Sequence, residues 1–129
     1  MKEIYHSNQA PPAIGPYSQA CGYGQLVFCS GQIALGAKGE SYLDRPVEEQ
    51  CEIALQNMKH VLEASGASLD SVLKVSIFLL DMGDFSAVNA VYSRFFQENP
   101  PARACVAVSG LPRGAKIELE CVAVKASGK

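Results

Sequence analysis

The chain has 129 residues, of which 11 are basic and 13 acidic, so its formal net charge is −2. This length predicts one domain over residues 1–129, and the near-neutral charge argues against a nucleic-acid-binding protein with a broad basic surface. Charged residues make up 19% of the chain and apolar residues 48%. Polar side chains are therefore too few to cover the whole outside, and we predict that part of the surface is hidden in an oligomer.

We expect a soluble, cytoplasmic protein without a membrane segment. The longest apolar runs are far shorter than the roughly 20 residues that a membrane-spanning helix needs, and the start of the chain is too polar and proline-rich for a signal peptide. The five cysteines are odd in number and show neither a CxxC nor a Cys–His spacing. That pattern favours free thiols in a reducing compartment and no metal site.

The first third of the chain is predicted to form a β-hairpin. Residues up to Pro16 are expected to be irregular because their prolines block a helix. The segments Tyr17–Tyr23 and Leu26–Ile33 have the composition of strands, and the glycines between them favour a turn. A loop is expected to follow over Ala34–Arg45.

A long helix is predicted next. Apolar residues recur at helical spacing from Cys51 to Leu62, which places them along one side of a helix of about five turns. Pro46 suits the first turn, and the pair Ser65–Gly66 is typical of a helix end.

The remaining segments alternate between strand and helix. Val72–Leu80 is almost continuously apolar, as expected for a central strand. A second helix is predicted to begin with Asp84 as its N-cap and to end before the prolines at 100 and 101. Two last strands are expected at Arg103–Val108 and Lys116–Val124.

The predicted order of elements is β-β-α-β-α-β-β, which indicates an α+β fold. Two helices for about five strands pack most economically as a single mixed sheet with both helices on one face. The other face of the sheet then has no cover within the chain, and its apolar side chains again predict oligomerisation.

The last two strands carry the strongest candidates for chemistry. Because side chains alternate along a strand, Arg103 shares a face with Cys105, and Glu118 shares a face with Glu120. If these strands pair around the turn at 111–112, an arginine and a carboxylate come within reach of each other. One interpretation is a site that holds a small anionic substrate on Arg103 and uses a glutamate for proton transfer; the other is a structural ion pair between strands.

Other candidates are weaker when judged from the residues alone. Cys105 has only His6 and His60 as possible bases, so a thiolate nucleophile is not expected. Tyr17 could direct its phenol at a polar site, and the small residues Ser30–Gly31 could let a ligand approach the backbone. No phosphate-binding loop or dinucleotide motif is found, so no cofactor is expected.

Several segments together resemble the reactive intermediate deaminase family, also known as RidA or YjgF. They are AIGPYSQA at 13–20, SGQI at 30–33, the residues Asp84, Phe85, Val88, Asn89, Tyr92, Phe95 and Phe96, PARAC at 101–105 and LPRGAKIELECVAV at 111–124. The resemblance implies a fold like that of the small chorismate mutases and a homotrimer whose sheets form a central barrel. It further implies hydrolysis of 2-imino acids, formed from enamines such as 2-aminoacrylate and 2-aminocrotonate, to 2-keto acids and ammonia in clefts between subunits.

The resemblance also implies roles for individual residues. Arg103 matches the arginine that binds the substrate carboxylate, Glu118 the catalytic acid, and Tyr17 a further catalytic residue. Substrate-binding positions are implied at Ser30, Gly31, Asn89 and Cys105. Pro100 departs from the family pattern, in which a bulky residue is common, and this bears on the shape of the cleft.

Two other functions remain compatible with the sequence. The first is a binding protein that holds a small carboxylate on Arg103 without chemistry. The second is the ribonuclease or translation-inhibitor activity associated with some relatives of this family, which the net charge of −2 disfavours.

Overall fold

The computed structural model describes residues 1–126, which form one six-stranded sheet and two α-helices. The strands are β1 Glu3–Tyr5, β2 Ala20–Tyr23, β3 Leu26–Gln32, β4 Val72–Leu79, β5 Ala102–Ala107 and β6 Ile117–Val124. The helices are α1 Val47–Ala64 and α2 Phe85–Phe95, and short 3₁₀ turns occupy Leu69–Ser71, Met82–Asp84 and Pro112–Gly114.

The sheet is mixed, which confirms the predicted α+β architecture. Its strand order is β1-β2-β3-β6-β4-β5. Every neighbouring pair is antiparallel except β4 and β5, which run parallel and are connected through α2. Helix α1 packs against β3, β6 and α2, so the helices cover one face of the sheet.

The core lies between the helices and this covered face. Along β6 the residues Ile117, Leu119, Cys121 and Ala123 are buried, while the residues between them are more exposed. This alternation is the two-residue period of a strand with one face in the core. Helix α1 supplies the opposing layer with its completely buried residues, which are Cys51, Ala54, Leu55, Met58, Val61 and Leu62.

The opposite face of the sheet is open in the single chain and carries apolar side chains. Pairing places Ile4, Cys21, Phe28 and Val122 in one row across β1, β2, β3 and β6. Ile4 is 58% and Phe28 47% exposed, which is high for large apolar residues. This is the uncovered face that the sequence predicts.

Two predictions for the first 20 residues are wrong. The segment expected to be irregular contains β1, which pairs with β2 and is held by an ion pair between Glu3 and Lys125. Strand β2 begins at Ala20 rather than Tyr17, because residues 18 and 19 bond to Ser30, where β3 bulges, and do not continue the regular ladder.

The second helix has Asp84 at its N-cap position, as predicted, but the Asp84 side chain makes no capping hydrogen bond. Asp81 instead accepts a hydrogen bond from the Gly83 backbone N–H at 2.8 Å and so caps the 3₁₀ turn that leads into α2. Aspartate suits either position, and the 3₁₀ turn decides between them. Neither helix is long and apolar enough to cross a membrane.

Candidate active site

The predicted site residues fall into two groups on opposite faces of the sheet. The expected pairing of β5 with β6 is wrong, because β4 lies between them. In the register of the sheet, Arg103 is the partner of the buried residue Val75, so it lies on the helix side. Glu118 is the partner of Phe78 and lies on the open side. One chain therefore cannot bring Arg103 and Glu118 together across adjacent strands.

An open cavity of about 530 Å³ surrounds the first group. It brings together four predicted residues, Tyr17, Ser30, Gly31 and Glu118, from the loop before β2, the end of β3 and the start of β6. The rest of its lining is Pro11, Pro12, Ile14, Gln19, Gln32, Ile33, Leu35, Pro112, Arg113 and Glu120. The lining thus combines apolar residues with hydroxyl and amide side chains, two carboxylates and one guanidinium.

A β-bulge shapes the wall of this cavity. Between the pairs Cys29–Cys121 and Gln32–Leu119, β3 has two residues, Ser30 and Gly31, where β6 has one. Such a bulge bends the strand and redirects its side chains. The bulge is fixed from the other side, where the Ser30 hydroxyl donates to the Ser18 carbonyl at 2.6 Å and the Ser30 N–H donates to the Gln19 carbonyl at 2.9 Å.

Gly31 and Glu118 are in close contact across the bulge. A Cβ atom on Gly31 would lie 2.7 Å from the carboxyl carbon of Glu118 and closer still to its Oε2. Real side chains do not approach so closely, so any residue with a Cβ atom at position 31 would force the carboxylate to move. The glycine thereby leaves room for the Glu118 carboxylate in the cavity.

The environment of Glu118 favours its protonated form. Burial raises the pKa of this half-buried carboxyl above its usual range, and the negative charge of Glu120 raises it further. Burial penalises a charge, and a neighbouring charge of the same sign adds to that penalty. A carboxyl with a raised pKa binds a proton more readily than an ordinary glutamate does, which suits a group that has to carry a proton during a reaction.

The second group surrounds Arg103 at the edge of the sheet. Its Nη1 donates a hydrogen bond to the Asn89 Oδ1 at 2.7 Å. The guanidinium carbon lies 4.9 Å from the centre of the Tyr92 ring and 5.4 Å from that of Phe85. These distances are within the range of cation–π contact. Helix α2 therefore supplies all three partners of this guanidinium.

Arg103 has no carboxylate partner within residues 1–126. The ion pairs in this part of the chain are Arg45–Glu49, Arg94–Glu52 and Lys125–Glu3. A guanidinium has five N–H donors, and a hydrogen bond to Asn89 leaves most of them for an incoming anion. An ion pair with a glutamate of β6, which is the structural alternative predicted above, is not formed in this part of the chain.

Cys105 lies two residues after Arg103 on the same face of β5 and is half-buried. Burial raises the pKa of its thiol, and the nearby charge of Arg103 opposes this only in part. The thiol is therefore protonated at neutral pH and is a poor nucleophile. The part of the chain that the structure covers contains no group of three or more histidine, cysteine or acidic residues that could hold a metal ion.

Some residues around the site were not predicted, and one signal could have found them. Phe85, Asn89 and Tyr92 follow each other at i, i+4 and i+7 on α2, so they share one side of the helix. Asn89 was predicted from the resemblance, whereas Phe85 and Tyr92 were not predicted as site residues. A polar residue between two aromatic residues on one side of the helix could have indicated a functional surface. Nothing in the sequence indicated that Arg113 lines the cavity. Its position depends on a left-handed backbone conformation (φ 57°) in the turn before β6.

Comparison with known proteins identifies the family. Residues 7–125 match the model described as endoribonuclease L-PSP, the family that contains the RidA and YjgF proteins. The chain belongs to this family. It is 42% identical to a 2-iminobutanoate/2-iminopropanoate deaminase of Dermatophagoides farinae, over 95% of this chain and 96% of the relative.

Two further relatives bear on the site. The protein DfrA of Myxococcus xanthus is 48% identical over 95% of both chains. The crystal structure of Escherichia coli TdcF with bound serine superposes with a TM-score of 0.91 at 37% identity, over 96% of this chain and 99% of TdcF. The RidA family thus includes relatives named as deaminases, and one relative of the same fold binds a small amino acid.

The raised pKa of Glu118 predicts a pH dependence of stability. In the unfolded chain this carboxyl loses its proton at lower pH than in the folded chain, so its contribution to folding is lost as pH rises through the folded pKa. We expect Glu118→Gln to gain stability relative to the parent as pH rises from about 4 to about 7. Thermal unfolding at several pH values measures this, with the exposed Glu63→Gln as the control for loss of one charge. If the unfolding temperatures of the two variants change with pH in the same way, the prediction is wrong.

Proposed function

We propose that this protein is a hydrolytic deaminase that converts reactive 2-imino acids into 2-keto acids and ammonia. The observation that carries the proposal is Arg103, a guanidinium oriented by Asn89 and two aromatic rings but paired with no carboxylate in residues 1–126. Such a group fits the one fixed charge of a 2-imino acid, its α-carboxylate. A relative named as an imine deaminase and a relative with bound serine support the same class of ligand.

We further propose that the complete site lies between two copies of the chain in a homotrimer. Arg103 and Glu118 are on opposite faces of one sheet, so a substrate that contacts both must lie between copies. The exposed apolar row that includes Ile4 and Phe28 gives the copies a reason to associate. A ring of three identical contacts closes on itself and repeats the same site three times.

The proposed reaction adds water across the C=N bond. An enamine such as 2-aminoacrylate first shifts a proton from nitrogen to its terminal carbon and becomes 2-iminopropanoate. Arg103 holds the carboxylate, and Glu118 takes a proton from a water as the water oxygen bonds to the imine carbon, then passes this proton to the imine nitrogen to give a carbinolamine. Glu118 next takes the proton of the new hydroxyl and delivers it to the amino nitrogen, while the C–N bond breaks and the keto group forms. Ammonia and the 2-keto acid leave.

The remaining predicted residues have supporting roles in this proposal. The Tyr17 phenol lines the cavity beside Glu118 and is suited to hold the water. Ser30, Gly31 and Cys105 offer backbone groups to the substrate. Asn89 acts through Arg103, to which it is hydrogen bonded. The five cysteines are all free, which suits the reducing cytosol where we expect the protein to work.

Substitutions of Arg103 test the proposed function directly. We expect Arg103→Ala to abolish imine hydrolysis and Arg103→Lys to lose at least about tenfold in kcat/KM, because lysine keeps the charge but not the planar fork of donors. The assay generates 2-aminoacrylate in place with a serine dehydratase and measures ammonia release above the spontaneous rate.

The matched control is Arg45→Ala, which removes another exposed arginine of the same chain that does not line the cavity. Full activity in Arg103→Ala would place the site elsewhere. Binding of 2-keto acids without any acceleration in the parent would favour the binding protein, and RNA cleavage that survives Arg103→Ala would not belong to this site.

A mixing experiment tests whether the site is shared between copies. Arg103→Ala and Glu118→Gln are each expected to be inactive alone. After dissociation and joint reassembly, about one quarter of the sites should combine an intact Arg103 from one copy with an intact Glu118 from its neighbour. Activity should return to roughly that fraction of the parent value. No recovery in mixed oligomers, verified by mass spectrometry, would contradict the shared site.

Gly31→Ala should displace the Glu118 carboxylate. The added methyl group has no room beside the carboxyl carbon, which would lie 2.7 Å away. We expect a loss of at least about tenfold in kcat with little change in KM, because the carboxylate anchor at Arg103 is untouched. Gly110→Ala is the matched control, since a Cβ atom there meets nothing within 4 Å. Parent-like kcat in Gly31→Ala would show that Glu118 does not take part.

A further inference from the structure

The Tyr92 ring is the closest aromatic group to the Arg103 guanidinium. The guanidinium carbon lies 4.9 Å from the centre of this ring, compared with 5.4 Å from Phe85. Tyr92 is only 5% exposed, and its ring packs against Phe96 with a centroid distance of 4.7 Å. Its position is therefore fixed by the core, whereas Arg103 itself is exposed on an edge strand.

An exposed arginine needs such a fixed partner to hold one orientation. Its long side chain has several rotatable bonds and otherwise loses much of its freedom when a ligand binds. The hydrogen bond to Asn89 restrains the guanidinium at Nη1, and a ring beside its face restrains the tilt of its plane. The two contacts together leave the edge of the guanidinium that is not bonded to Asn89 for a carboxylate.

The hydroxyl group of Tyr92 has no part in this contact. It is buried without a hydrogen-bond partner in the described part of the chain, and burial raises the pKa of Tyr92 to about 12. An unpartnered buried hydroxyl adds nothing favourable to the fold. What Tyr92 offers to Arg103 is therefore its ring.

We propose that Tyr92 is a positioning residue, whose ring orients the Arg103 guanidinium so that it receives the substrate carboxylate in one fixed plane. The inference rests on the proposed function of Arg103. It adds that affinity for the carboxylate depends on the electron density of a buried aromatic ring that does not touch the substrate.

Two substitutions separate the ring from the hydroxyl. Tyr92→Phe keeps the ring and should keep kcat/KM within about twofold of the parent. Tyr92→Leu removes the ring and should lower kcat/KM by at least about tenfold, mainly through a higher KM. Phe95→Leu is the control, because Phe95 is a partly buried aromatic residue of the same helix that also packs against the core. It should stay close to the parent value.

A fluorinated series tests the proposal even if Tyr92→Leu does not fold. Phenylalanine with one, two or three ring fluorines at position 92 keeps nearly the same shape but lowers the negative charge on the ring face, which weakens a cation–π contact stepwise. KM for the imine, and the dissociation constant for 2-oxobutanoate measured by calorimetry, should rise with each fluorine. The same series at Phe95 should leave both constants unchanged.

The outcomes distinguish this inference from the proposed function. If the parent hydrolyses the imine but the series at position 92 leaves both constants unchanged, Tyr92 is only a core residue and the inference is wrong. If the parent binds 2-oxobutanoate without hydrolysis, the deaminase proposal fails and the binding series still decides the role of Tyr92. If the parent neither binds 2-oxobutanoate nor hydrolyses the imine, both the inference and the deaminase proposal are wrong.

Discussion

A β-strand in a two-layer fold can turn only one face to the core, and strand β6 shows what this requires. Its alternate residues Leu119 and Cys121 are buried under the helices, so Glu118 and Glu120 must lie on the open face. The same constraint acts on β5, which pairs in parallel with β4. Here it places Arg103 on the covered face of the sheet, towards α2. The separation of the cation from the carboxylate is thus a consequence of core packing, and for this reason the proposed function requires two copies of the chain to meet at one small molecule.

The prediction from sequence succeeded where the signal is local. The long helix is correct because apolar residues from Cys51 to Leu62 repeat at helical spacing, and the strand at 72–80 is correct because its run of apolar residues needs burial. Pairing between strands far apart in sequence leaves no such local signal. For this reason the insertion of β4 between β5 and β6 was missed, and so was the three-residue strand β1, which exists because β2 offers it an edge.

The site likewise divides into features that could be predicted from the sequence and features that depend on packing between distant parts of the chain. The structure groups Tyr17, Ser30, Gly31 and Glu118 around one cavity, and their roles stay a prediction. The resemblance could not show that the Glu118 carboxylate lies where a Cβ atom of residue 31 would otherwise be. It also could not show that Asn89 holds Arg103, since a hydrogen bond between a helix and an edge strand depends on how the two are packed.

All contacts that orient Arg103 come from helix α2, and α2 is itself packed on α1 rather than tied to β5 by hydrogen bonds of its backbone. The tilt of one helix therefore sets the direction of the guanidinium. Replacements of buried residues of α2, such as a change of size at Val88 or Val91, are therefore expected to alter ligand affinity without touching the cleft. Related proteins with identical cleft residues could in this way differ in their preference for small or larger side chains, and the origin of that difference would lie in the core.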